Sequence, residues 1–129
     1  MLVRSSSLIA VILLVAGTQS MAGDHSLDAS IQFLLTRVSQ SGYVFIRNGK
    51  EHNSLDAAKH MRRKYEHFVD EIETPEQFIE RAATKSMMTG RRYRIRFADG
   101  TEMDTSDWLL NELALFRSGE TIDAGGGTS

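Results

Sequence analysis

The stretch Arg91-Arg92-Tyr93-Arg94-Ile95-Arg96-Phe97-Ala98-Asp99-Gly100-Thr101-Glu102-Met103-Asp104 decides the architecture. From Arg91 to Ala98 it alternates. Tyr93, Ile95 and Phe97 point one way and Arg92, Arg94 and Arg96 the other, which is the period of a half-buried strand. Asp99-Gly100 then signals a type I′ turn, and Thr101 to Asp104 returns as a second strand. The same design occurs earlier. Tyr43-Val44-Phe45-Ile46-Arg47 is β-branched and aromatic, Asn48-Gly49 is the preferred type I′ pair, and Lys50 to Asn53 runs back. Two such hairpins can join into one small antiparallel sheet.

Helical periodicity fills the rest. Leu27, Ile31, Leu34, Leu35 and Val38 form one apolar stripe in a helix from about Ser26 to Gln40, which Ser41-Gly42 stops. Asn53 or Ser54 caps a second helix reaching about Glu71. Its buried stripe is Ala58, Met61, Tyr65, Phe68 and Ile72, with Lys59, Arg62, Arg63, Glu66 and Asp70 towards water. Thr74-Pro75-Glu76-Gln77 combines a capping box with proline at the first helical position. It opens a short third helix lined by Phe78, Ile79, Ala82 and Ala83, which frays from Thr84 to Thr89. Thr105 or Ser106 caps a last helix carrying Trp108, Leu109, Leu110, Leu113 and Phe116. The predicted fold is α+β, a small antiparallel sheet from two β-hairpins packed with about four helices in the order α-ββ-α-α-ββ-α. An offset of 51 superposes Asn48-Gly49 on Asp99-Gly100 and Asp56 on Asp107. An old duplication explains this, and so does turn-then-cap chemistry selecting the same residue types twice.

The N-terminus gives an address. Arg4 precedes an uncharged apolar run, Leu8 to Ala16, and Ser20-Met21-Ala22 places small residues at a signal-peptidase site. The run is about half of the roughly 20 residues that a spanning helix needs. Residues 1–22 therefore read as a cleavable signal peptide, 23–117 as a single domain and 118–129 as a disordered glycine-rich tail. The expected destination is the periplasm or the exterior, with no membrane span after processing.

Cleavage takes 22 of 129 residues and leaves 107, enough for one core. There is no cysteine, hence no disulfide and no lipid-bearing cysteine. Losing Arg4 reduces 15 basic residues to 14 against 17 acidic ones, a net charge of −3 that gives no overall pull towards nucleic acid.

Candidate chemistry gathers between Phe45 and Lys64. Asp56, His60 and Lys64 are spaced by four on one side of the second helix, so Asp56 can orient the His60 ring for general acid–base work. The other reading of His60 is an edge histidine hydrogen-bonded to the neighbouring hairpin. Arg47, Asn48, Lys64 and Tyr93 are candidate binding residues around it. Arg92, Arg94 and Arg96 form a second candidate, a strand face able to grip an anion or to meet the chain's own Glu102 and Asp104. Ser86-Met87-Met88-Thr89-Gly90 has the look of a loop with two exposed methionines, and the favoured alternative is a loop tucked against the core. His60 and His67 are two helical turns apart, too far to share an ion, so neither a metal nor a cofactor is predicted.

Several of these motifs occur together in an order that resembles a known family. They are Phe45-Ile46-Arg47-Asn48-Gly49, Glu51-His52, Ala57 with His60-Met61-Arg62 and Lys64, Thr74 to Ile79, and Ser86 through Gly90-Arg91 to Tyr93. Over about Leu27 to Arg117 the chain resembles the YfeK-like family of small exported bacterial proteins, a domain of unknown function. The resemblance implies a periplasmic location and no defined activity. Family members often carry a pair of cysteines, absent here, and often read Ser-Ser-x-Ser-Gly where this chain has Ser86 to Gly90.

The function expected from all this is a non-enzymatic binding module of the cell envelope, its partner an envelope protein or an anionic envelope component. The alternative is a small hydrolase or transferase with His60 as general base. N-terminal sequencing of the accumulated protein should begin at Gly23; a product that retains Met1 would contradict the leader.

Overall fold

A computed structural model describes residues 25–119. The expected leader at 1–22 and the glycine-rich stretch at 120–129 lie outside the described residues. The elements are α1 (Leu27–Gln40), β1 (Val44–Arg47), β2 (Lys50–His52), α2 (Ser54–His67), a 3₁₀ turn (Val69–Glu71), α3 (Pro75–Ala83), β3 (Arg94–Arg96), β4 (Glu102–Asp104) and α4 (Thr105–Ser118). The α+β order expected from the sequence is the order found.

The capping chemistry explains most of the helix starts. The Ser26 and Asn53 side chains accept from the backbone N–H groups of Ala29 and Asp56, at 3.0 and 2.8 Å. Thr74 accepts from Gln77 N–H at 3.1 Å while the Gln77 side chain reaches back to Glu73 N–H, with Pro75 at the first turn. The start of α4 differs from expectation. Asp104, rather than Thr105 or Ser106, occupies the cap position, and its carboxylate makes no cap bond because Arg92 and Arg94 hold it. The second helix also ends early. It stops at His67, and a 3₁₀ turn carries the chain on so that Phe68 and Ile72 are both buried. The segment after α3 does not fray. A bridge between Lys85 and Arg92 closes it into a defined loop.

The four strands form one antiparallel sheet in the order β2-β1-β3-β4. The central pairing sets Phe45 opposite Ile95, with Met103 beyond on β4 and His52 on β2. This row faces the helices. The alternate row, Glu51, Ile46, Arg94 and Asp104, faces outward together with Val44, Arg96 and Glu102. The first turn has positive φ at Asn48 (53°) and Gly49 (78°), as type I′ requires. The second is not type I′. Among its residues φ is positive at Gly100 alone, and Phe97 N–H reaches across a three-residue loop to Thr101 at 2.8 Å. Asp99 there accepts from the Thr101 N–H and hydroxyl, which a type I turn followed by a left-handed glycine permits.

Helices α1 and α3 each pack against α2 and α4. Ile31, Leu34, Val38, Phe78, Ala82, Ile95, Leu109 and Leu113 are essentially solvent-free. On α2 the buried alanine is Ala57, with Ala58 only partly covered, and on α4 Leu110 is exposed. The aromatic rings of Phe97, Tyr43, Trp108 and Phe45 meet edge to face along one end of the core. Arg37 on α1 bonds the buried Glu112 of α4 at 2.6 Å, pinning the two helices. Ile95→Ala should lower the unfolding free energy by about 2–5 kcal/mol in urea titration, whereas Leu110→Ala should change it by about 0.5 kcal/mol or less.

Candidate functional site

Strand parity puts Arg47 on the same face as Phe45, directed at α2 rather than outward with Arg94 and Arg96. There it meets His60 and Lys64, one helical turn apart on α2, and Tyr93, just before β3. Arg47, Asn48, His60, Lys64 and Tyr93 line one open cavity of about 260 Å³, together with Ser86, Met87 and Met88. Five residues singled out in the sequence thus converge. The other candidates do not join them.

The polar contacts are specific. Lys64 Nζ donates to Tyr93 Oη at 3.3 Å and to the Lys85 carbonyl at 3.4 Å, and it lies 5.2 Å from the Tyr93 ring centre. His60 Nε2 is 3.4 Å from the same phenol oxygen, with the two rings edge to face. The Arg47 side chain makes no hydrogen bond or ion pair among the described residues. Asn48 serves the wall of the cavity. It accepts from the Thr89 hydroxyl at 2.6 Å, and its amide donates to Ser86 Oγ at 3.4 Å.

Sequence reasoning did not assign a role to Ser86. This buried side chain accepts from the N–H groups of Met88 and Thr89, and its carbonyl accepts from Gly90 N–H. The Ser86 and Thr89 hydroxyls therefore fix the loop. Met87 and Met88 are not tucked against the core; they are 70% and 93% exposed. Behind the cavity lies a second chamber of about 20 Å³, lined by Phe45, Arg47, His60, Met61, Tyr93 and Thr105 among others. The hydroxyl of the fully buried Thr105 has no hydrogen-bond partner there. A hydroxyl without periodic or motif character leaves no trace in a single sequence.

The electrostatics are one-sided. The His60 imidazole is pushed down to about 4 by burial, then by the positive charges of Arg47, Lys64, Arg63 and His52. Burial, then Arg47, also lowers Lys64, and burial raises the Tyr93 phenol. Among the described residues no carboxylate offsets these charges. The Asp56–His60 couple suggested by the spacing is not formed. Asp56 is exposed in the first turn of α2 and acts on His52 instead, opposing the burial and the Arg47 charge that lower it. Among the described residues no three His, Asp or Glu side chains are grouped to hold a metal.

The second candidate, on the outer sheet face, is laid out differently. Arg92 and Arg94 bond Asp104 at 2.6 and 2.7 Å, and Arg94 and Arg96 reach Glu102 at 3.7 and 3.0 Å. Arg96 also bonds Glu51 at 2.6 Å, across three strands. These charges satisfy one another, while the cations of the cavity face open space.

The depressed imidazole makes a prediction about acid. An unfolded chain takes up the His60 proton near 6.5 and the folded one near 4, so stability falls as pH drops through that window. Carboxylates held low by arginine, such as Asp104 and Glu76, act at lower pH. Melting temperatures measured from pH 7 to pH 4 should decline in the wild type and decline less in His60→Gln; equal slopes would show that His60 titrates normally.

Residues 25–117 match a family of unknown function, DUF5329. The uncharacterized protein YfeK of Salmonella typhimurium is 37% identical over 67 residues, 51% of this chain and 56% of that protein. The chain thus spans little more than half the length of that curated relative. No solved structure matches. With the family pattern running from His25, just before α1, to Arg117 in the last turn of α4, the chain belongs to the DUF5329 family.

Proposed function

We propose that the protein is exported and serves the cell envelope as a binding module, without catalysis, holding an anionic group of its partner between Arg47 and Lys64. The observation that carries this reading is the missing counter-ion. Arg47 stands beside Lys64 in an open cavity with no carboxylate partner among the described residues, whereas Arg37, Arg81, Arg92, Arg94, Arg96 and Arg117 each have one. A guanidinium and an ammonium in partly desolvated positions attract a carboxylate or phosphate more strongly than exposed ones do. Tyr93 and the neutral His60 add polar groups without adding negative charge. The basic leader residue, the short apolar run and the Ser20-Met21-Ala22 site support export.

Catalysis by His60 is the weaker reading. Its one hydrogen-bond partner among the described residues is Tyr93, so no nucleophile is engaged and no carboxylate orients the ring.

Inorganic phosphate is a suitable probe, because an anion beside the ring favours the imidazolium and lifts the His60 pKa. Imidazole resonances followed by NMR should show His60 titrating near 4 alone and higher in phosphate. Arg47→Ala should weaken phosphate binding roughly 10- to 100-fold, the worth of a charge-assisted hydrogen bond. Arg94→Ala should leave it unchanged. The reverse pattern would move the site to the outer sheet face, and no response of His60 in any variant would reject an anion site at the cavity.

A further inference from the structure

The loop that lines one side of the cavity presents its two methionines to solvent instead of folding them inward. Met88 is 93% exposed and Met87 70%, higher than any other large apolar side chain described. Leu55, Val69, Leu110 and Leu115 are also exposed, but they are scattered on α2, the 3₁₀ turn and α4. The display is held in place. Ser86 Oγ accepts from both Met88 and Thr89, Gly90 N–H bonds the Ser86 carbonyl at 2.8 Å, and the Thr89 hydroxyl ties the loop to Asn48 on the first hairpin. The backbone is thus fixed in a shape that leaves the methionines outward.

Cations surround this apolar tip. Lys85 precedes it and Arg91 follows it, with the Arg91 guanidinium lying against the Gly49 turn. Arg47 and Lys64 sit in the cavity directly behind Met87 and Met88. None of these four makes an ion pair with a carboxylate among the described residues. One acid, Glu80, lines a groove together with Met87, Arg81 and Lys85. The chain as a whole is mildly acidic, so this positive patch is a local concentration.

We propose that this face docks onto an anionic phospholipid bilayer, with Met87 and Met88 entering the interfacial layer while Arg47, Lys64, Lys85 and Arg91 meet lipid phosphates. The proposal rests on the reading of the cavity as an anion site and names its partner. Two apolar side chains at a loop tip are too small a surface for the desolvated core of a stable protein–protein interface. They match the depth of a headgroup layer, where a shallow apolar insertion and a polybasic ring act together.

Vesicle co-sedimentation of the purified protein, in the form the cell accumulates, tests it. The protein should pellet with vesicles of phosphatidylglycerol and phosphatidylethanolamine, should not pellet with phosphatidylcholine alone, and should be released by salt. Met87→Ser with Met88→Ser should weaken vesicle binding about tenfold, with the melting temperature unchanged. Lys85→Glu and Arg91→Glu should each weaken it by roughly fivefold or more. Failure to pellet with anionic vesicles, while phosphate still shifts His60, would overturn membrane docking and leave the anion site standing. Pelleting that the methionine substitutions do not alter would overturn it too, because the loop would then take no part. Loss of both the pelleting and the phosphate response would reject the anion site itself.

Discussion

The pairing of β1 with β3, with Phe45 opposite Ile95, is the constraint on which the rest of the structure depends. Each hairpin alone is too small to be stable in water; joined, they offer the helices one apolar row. The register also decides where every charge goes. A slip of one residue would turn Arg94 and Arg96 into the core and expose Ile95. Burial of Ile95 and Phe45 makes that slip costly, so the parity of both hairpins is fixed.

Two electrostatic environments follow from that parity. Outward positions bring Arg94 and Arg96 beside Glu51, Glu102 and Asp104, and Arg92 reaches Asp104 from just before the strand. The result is a solvated lattice that neutralises itself and blunts an open sheet face. Arg47, one residue past Ile46, falls on the inward parity at the end of β1, where α2 supplies His60 and Lys64 and no acid. The same alternation that satisfies three arginines leaves the fourth unsatisfied. The cavity is an outcome of the register, and its positive potential is an outcome of where the acids are not.

Much of this was legible in the sequence because it is local. The stripe from Leu27 to Val38, the Thr74 capping box and the Asn48-Gly49 turn each involve residues a few positions apart, and each took the form its chemistry favours. What failed involves competition between distant groups. Asp99-Gly100 has type I′ composition, but the Thr101 hydroxyl and N–H recruit Asp99 into a different loop. Asp104 sits at the cap of α4, yet two arginines claim its carboxylate first. Asp56 and His60 have the spacing of a couple, but their side chains face different surroundings, one solvent and the other the hairpin. The convergence of Arg47, Asn48, His60, Lys64 and Tyr93 follows their clustering in the sequence; the choice between exposed and tucked methionines at Met87 and Met88 does not, since it depends on how Ser86 and Thr89 bend the chain.

Along the arginine strand the positive charge is compensated by carboxylates; in the cavity, at Arg47 and Lys64, it is not. Anomalous diffraction from crystals soaked in selenate would locate a tetrahedral dianion without prior assumption. A peak is expected within hydrogen-bond reach of both Arg47 and Lys64, in the cavity bounded by Tyr93 and Met88. Peaks confined to Arg94 and Arg96, with Arg47 found paired to a carboxylate, would contradict it.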